Sequence, residues 1–314
     1  MNCKGNNNLG NKNNYILFSV NNITLGKNID YFQLGNFILC NYKYFHTIFP
    51  NVTPKTSPED ENSLIPNPKS KHDFILYSTN KNTHTKKFEK EFSDKLNTFV
   101  DIMLYINGKR TYTVEEYWYL HKEQSSNLCV LGNDINFGSR SDSFNIFYDN
   151  CKVSKILFKK IGNNIKLFKY IDSEPNTEIE KKIKLSVLWI ALGLRTNNLT
   201  QAYVCLCIAL ETLLSGNNSP LERGTAYQLR EFGAFLASAE KEERIIIQEK
   251  IKNLYDIRCK ISHSGTSKKL SERDFYELLK ILKAIIDNLF KIIEEKEITN
   301  HKKLQEYIDE IKFQ

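Results

Sequence analysis

Apolar positions recur with two different periods along this chain, and the change falls near its middle. In the first half the apolar runs are short and rich in β-branched and aromatic residues, as in half-buried strands. Tyr15–Val20 predicts one strand, Asn21-Asn22 a turn, and Ile23–Leu25 the start of a second. Asn36–Cys40 and Phe74–Tyr77 predict two more. Pro50, Pro54, Pro58, Pro66 and Pro68 predict a long exposed loop between them, since proline donates no backbone hydrogen bond. Residues 85–105 switch to helical period, with Phe88, Phe92, Leu96, Phe99, Ile102 and Met103 three and four apart. Asn107-Gly108 predicts a turn and Tyr112–Val114 a short strand. Residues 125–150 are polar, and Val153–Phe158 and Ile165–Phe168 predict short elements. The asparagine-rich residues 1–14 predict a frayed start.

From Pro175 the pattern is helical and well punctuated. Thr177-Glu178-Ile179-Glu180 is a capping box opening a helix to about Arg195. Asn197-Asn198 breaks it, and a second helix starts at Thr200 and ends at Gly216. Ser219-Pro220-Leu221-Glu222 is a capping box with proline at the first helical position, and its helix runs to about Ala237. A fourth helix starts near Ser238 and runs towards Arg258. Ser271-Glu272-Arg273-Asp274 opens a long fifth helix carrying Phe275, Leu278, Leu282, Ile285, Leu289 and Ile293. Residues 294–314 extend that helix or follow it as a charged tail. The expected class is therefore α+β: a mixed α/β domain over residues 1–170, then an all-α bundle of about five helices over 171–314.

A chain of 314 residues suits two domains of ordinary size. Its net charge of +7 is mildly basic and compatible with a nucleic-acid partner. The seven cysteines are odd in number and scattered, and no pair has zinc-site spacing. Cys205 and Cys207 read as small core residues in an apolar helix. A reducing cytoplasm is expected, with no disulfides, metal or cofactor. No signal-peptide pattern opens the chain and no apolar run spans a bilayer, so no membrane partner is expected.

The stretch richest in chemistry is Tyr255–Gly265, which places Arg258 and His263 five positions apart near a helix end. Five residues turn about 140° around a regular helix, so the two share a face only if the helix loosens between them. Gly265 and the hydroxyls of Ser262 and Ser264 predict that loosening. A permanent cation beside a group titrating near neutrality suits phosphodiester chemistry. The bland alternative is a surface arginine and a histidine favouring the helix dipole. Residues 249–269 hold six Lys/Arg against two acids. Lys250, Lys252, Lys260, Lys268 and Lys269 are candidates to line a phosphate path, or else one solvated face. Glu211 sits in an apolar helical run and is expected to pair with Arg258 or Arg230. His46, His72, His84, His121 and His301 fall in loops or polar stretches and read as surface residues.

Three blocks of the bundle resemble the Apea-like branch of the HEPN superfamily. Ala209-Leu210-Glu211-Thr212-Leu213-Leu214 is similar to that branch's "ALE-x-L" helix, and Arg223–Leu236 to the helix after it. Tyr255-Asp256-Ile257-Arg258 through His263-Ser264-Gly265 resembles its "Y-D-x-R-x4-H-x-G" signature. The resemblance covers roughly residues 177–293, and the last block is its most specific part. It implies a metal-independent endoribonuclease, a homodimer formed through the helical domain, and a toxin or anti-phage setting. Arg258 and His263 match the motif's catalytic positions. One departure is Cys259, where active members often carry Asn, Asp or His.

In such an enzyme the RNA 2′-hydroxyl is deprotonated and attacks the adjacent phosphorus. His263 is the general base or acid, and Arg258 stabilises charge on the phosphate oxygens. Glu211, Ser262 and Cys259 are supporting candidates, and tRNA is one candidate substrate. Residues 1–170 are then a candidate sensor for a phage or cellular trigger. The alternative is a non-catalytic module that dimerises or binds RNA or protein, with Arg258 and His263 retained for packing.

Overall fold

In a computed structural model of the chain, described placement covers residues 14–20, 23–25, 31–34, 36–41, 43–44, 47, 73–79, 86–109, 127–131, 140–141, 151–153, 155–216, 225–265 and 270–312. The asparagine-rich start, the proline-rich span, the strand expected at Tyr112–Val114, and the Ser219–Glu222 capping box lie outside these residues. So do Lys268 and Lys269.

The chain divides into two compact units, Met1–Asn97 with Tyr112–Asn163, and Thr98–Thr111 with Asn164–Gln314. The described strands of the first unit are β1 (Asn14–Val20), β2 (Ile23–Leu25), β3 (Tyr31–Leu34), β4 (Phe37–Cys40), β5 (Asp73–Thr79), β6 (Asn127–Leu131), β7 (Arg140–Ser141) and β8 (Cys151–Val153). Their pairing order is β3-β4-β5-β1-β6-β7, with β2 and β8 forming a separate parallel pair. The β1–β5 ladder is antiparallel and sets Leu17 opposite Leu76. All four residues of β4 are buried. With successive side chains on opposite faces, this means both faces of β4 are covered, so the usual alternation is absent.

Helix α1 (Lys86–Asn107) begins in the first unit and ends in the second. Phe99 and Ile102 to Ile106 are buried, so its last two turns are apolar all round. Helix α2 (Lys155–Asn163) follows β8. A 3₁₀ turn over Ile165–Phe168 and α3 (Lys169–Asp172) open the rest of the helical unit, which therefore reaches back past residue 171.

Six further helices are formed by the described residues of this unit: α4 (Glu178–Arg195), α5 (Leu199–Leu214), α6 (Thr225–Ala237), α7 (Lys241–Ser264), α8 (Glu272–Lys296) and α9 (His301–Lys312). The capping boxes at Thr177 and Ser271 form as expected, each satisfying two end N–H groups for about 1 kcal/mol. The second helix is capped by Asn198, whose side chain accepts from Gln201 N. Helix α5 is apolar over most of its surface and is the hub: it contacts α4, α6, α7 and α8. Gly193 lets α4 approach it, because a Cβ there would lie 2.9 Å from the Ala202 carbonyl oxygen. Helix α8 lays Phe275, Leu278, Leu282, Ile285 and Leu289 into the same core. The chain then turns at Glu297, whose φ of 51° is left-handed, so residues 301–312 form a separate helix. An all-helical bundle is thus the architecture of the second unit.

His301 is not on the surface, as its polar sequence context had predicted. Only 4% of it is exposed, its Nε2 lies 2.9 Å from the Leu214 carbonyl oxygen, and its ring stacks on Phe232. The last carbonyls of α5 need donors, and the side chain opening α9 supplies one. Glu231 on α6 is likewise buried and ion-paired with Lys312, which ties α9 to the bundle.

Candidate functional site

The Tyr255–Gly265 stretch forms the last turns of α7 and its cap, and the α-helix runs unbroken through Ser264. The expected loosening between Arg258 and His263 does not occur. The glycine signal acts later: Gly265 takes a left-handed φ of 73° and closes the helix with its N–H on the Ile261 carbonyl. The Ser264 hydroxyl is used locally, donating to the Lys260 carbonyl at 2.7 Å. Arg258 and His263 therefore leave the helix about 140° apart and about 7.5 Å apart along its axis.

Arg258 points to the bundle side. Its Nε lies 3.2 Å from Glu211 Oε1 on α5, and the two side chains are 31% and 24% exposed. Of the two partners considered for Glu211, the fold selects Arg258, while Arg230 faces Glu249 at 3.6 Å. Glu211 Oε1 is shut off from solvent and lies off the hydrogen-bond line, so the contact is electrostatic. The Arg258 guanidinium also lies 5.6 Å from the centre of the Tyr255 ring. Burial, then the neighbouring Glu211 carboxylate, push the Tyr255 hydroxyl up to about 12.

This pair ends a longer polar seam. Tyr203, Cys207 and Glu211 lie four apart on one stripe of α5 and face the last turns of α7. The Tyr203 hydroxyl donates to the Leu254 carbonyl at 2.7 Å. Burial pushes the Cys207 thiol well above its ordinary range, and Glu211 adds to this. Neither Tyr203 nor Cys207 was a site candidate from sequence, although their spacing with Glu211 is visible there. Cys259 is a free thiol at intermediate exposure.

His263 points away from the seam and is exposed, as are Lys252, Asp256 and Lys260. At about 100° per residue these four fall within about 80° of one another on the solvent face of α7. Ser262, exposed and four residues past Arg258, falls on the arginine's side instead. The basic path is partly neutralised. Lys252 pairs with Glu249 at 3.6 Å and Lys250 with Glu277 at 2.7 Å, while Lys260 has no ion pair among the described residues. The fold thus gathers Arg258, Glu211 and Tyr255, and sets His263 with Lys252 and Lys260 on another face. Among the described residues, no three His, Cys, Asp or Glu side chains are grouped to hold a metal ion, and no helix is long and apolar enough to cross a membrane. No family model, curated protein or solved structure matches the chain.

Proposed function

We propose that the helical unit is a metal-independent endoribonuclease of the HEPN type, with Arg258 and His263 as catalytic residues. The observation that carries this reading is the end of α7. A guanidinium anchored by Glu211 stands there about one and a half turns before an exposed imidazole on another face. Glu211 engages Arg258 through Nε, which leaves the two terminal amino groups of the fork for phosphate oxygens. In the reaction a base removes the 2′-hydroxyl proton and O2′ attacks phosphorus. The P–O5′ bond breaks, and an acid protonates the leaving O5′. The products are a 2′,3′-cyclic phosphate and a 5′-hydroxyl, and charge developing on the non-bridging oxygens is met by Arg258.

One copy supplies one histidine, pointing away from its own arginine. A second copy brings the other acid–base group, with the two α7 ends facing one cleft. Helix α4 offers a surface for such pairing: Leu185 and Leu192 are 46% and 45% exposed, on one ridge with Leu188 and Trp189. An uncharged apolar ridge is self-complementary across a two-fold axis. Residues 1–170 are proposed as an α/β domain that receives a phage or cellular trigger, and the cytoplasm as the compartment.

The test is cleavage of total RNA and tRNA in excess EDTA by wild type, His263→Ala and Arg258→Gln, with product ends mapped. Cyclic-phosphate ends from wild type alone are expected. Equal cutting by His263→Ala removes the assignment. A second reading has its own support: the half-buried Arg258–Glu211 pair is also what a packing strut looks like. A non-catalytic module would bind RNA or a partner unchanged by His263→Ala and cut nothing, with residues 1–170 present or removed.

A further inference from the structure

A second feature of α7 lies at its other end. Between the first half of α7 and the first half of α8 runs an open groove of about 600 Å³. Ile246, Ile247, Ile281, Ala237 and Ala284 form its apolar lining, and the Tyr276 ring adds to it. Ile246 is 54% exposed and its neighbour Ile245 57%, large values for isoleucine on a helix.

The charges around the groove are not balanced. Glu243 accepts from the Ser238 hydroxyl at 2.6 Å, and Glu277 is ion-paired with Lys250 at 2.7 Å. The Glu277 charge is thereby met by Lys250, while Glu243 keeps its charge, so the lining holds three cations against two carboxylates. Arg273 and Lys280 also line the groove and are exposed, with no ion pair among the described residues. They are seven apart, so they stand on one side of α8, about 10 Å from each other along its axis. The groove therefore has an apolar floor and a rim of net positive charge, on which Arg273 and Lys280 have no ion-pair partner among the described residues.

We propose that this groove docks an amphipathic helix of a partner protein, presenting an apolar ridge flanked by carboxylates. Its length follows from the groove wall. Residues 273–284 of α8 span about 16 Å, which is three turns of helix. An apolar ridge at i, i+3, i+4 and i+7 fills a trough between two helices, and acids seven apart would meet Arg273 and Lys280. A nucleic acid fits less well, because Tyr276 is the one ring in the lining on which a base could stack, and the rest of the floor is isoleucine and alanine. A second copy seated two-fold on the same groove sets the cationic rims against each other. The site is distinct from Arg258 and His263, and occupancy does not depend on cleavage.

The test is selection of three-turn helices from a display library with one randomised face, using the full chain as bait. Enriched peptides are then synthesised with a fluorescent label and titrated by anisotropy. Enrichment of apolar ridges carrying acids seven apart is expected. Binding should weaken at least tenfold on the double change Arg273→Glu, Lys280→Glu, fall below detection on Ile246→Asp, and be unchanged by His263→Ala. Each variant is checked for native far-UV ellipticity, and Ile246→Ser replaces Ile246→Asp if the latter does not fold. Four results overturn the proposal: no enrichment, neutral or basic sequences, binding insensitive to the position-246 change, or competition by a single-stranded RNA. Self-association of the wild type that Ile246→Asp abolishes also overturns it, by making the groove a contact between copies.

Discussion

Glu211 and Arg258 are expected to be coupled in stability, and the size of that coupling tests the whole reading of the α5–α7 seam. At 3.2 Å, two unit charges in an effective dielectric of about 20 attract by about 5 kcal/mol. Most of that is offset by removing both groups from water and by solvent reaching the pair, which is 31% and 24% exposed. Fully exposed pairs contribute about 0.2–1 kcal/mol, and breaking a buried pair costs about 3–5 kcal/mol. A pair between these limits and off the hydrogen-bond line should show a coupling of about 1–2 kcal/mol. The assay is a double-mutant cycle with Glu211→Gln, Arg258→Gln and the combined variant, unfolded in urea and followed by ellipticity. Each single change should lower the melting temperature by about 3–6 °C. The double variant should be no less stable than the worse single one. Additivity within about 0.3 kcal/mol would refute the pairing, because it would mean neither side chain responds to the other. If Glu211 also positions the guanidinium for phosphate, Glu211→Gln should slow RNA cleavage, and Glu211→Asp should restore part of the rate.

Two further outcomes follow from buried polar groups away from the motif. Burial lowers the His301 pKa below its ordinary value, so the unfolded chain binds the proton more readily than the folded one. Its contribution is complete above about pH 6.5 and is lost as the pH falls below that value through the folded pKa. Urea midpoints between pH 7.5 and pH 5 should therefore fall more steeply for wild type than for His301→Gln; parallel slopes would contradict the burial argument. Tyr203→Phe removes the 2.7 Å hydrogen bond to the Leu254 carbonyl, which keeps its helical bond, for a loss of about 0.5–1.5 kcal/mol by urea denaturation. An unchanged midpoint would mean that water reaches that carbonyl.

Local chemistry was legible in the sequence wherever a residue acts on its own few neighbours. The capping boxes at Thr177 and Ser271, the helical period of α8 and the closing role of Gly265 all depend on partners within four residues. For that reason they could be read without a fold. The strand at Tyr15–Val20 and the helix over residues 85–105 were legible for the same reason. Glu211 stood out as a carboxylate in an apolar run, so its need for a partner was clear.

Which partner it takes was decided only by tertiary structure. Arg230 and Arg258 were equivalent in sequence, and the packing of α7 on α5 brings Arg258 to Glu211 and leaves Arg230 to Glu249. The docking of α9 against α5 and α6 buries His301, whose polar neighbours in sequence are not its neighbours in space. Helical continuity through Ser264 separates Arg258 from His263, where residue type alone had favoured bringing them together. Sequence determines what each side chain needs, because that is set by its own chemistry and its adjoining backbone. The fold decides which distant group meets the need, because that depends on how whole helices bury their apolar faces.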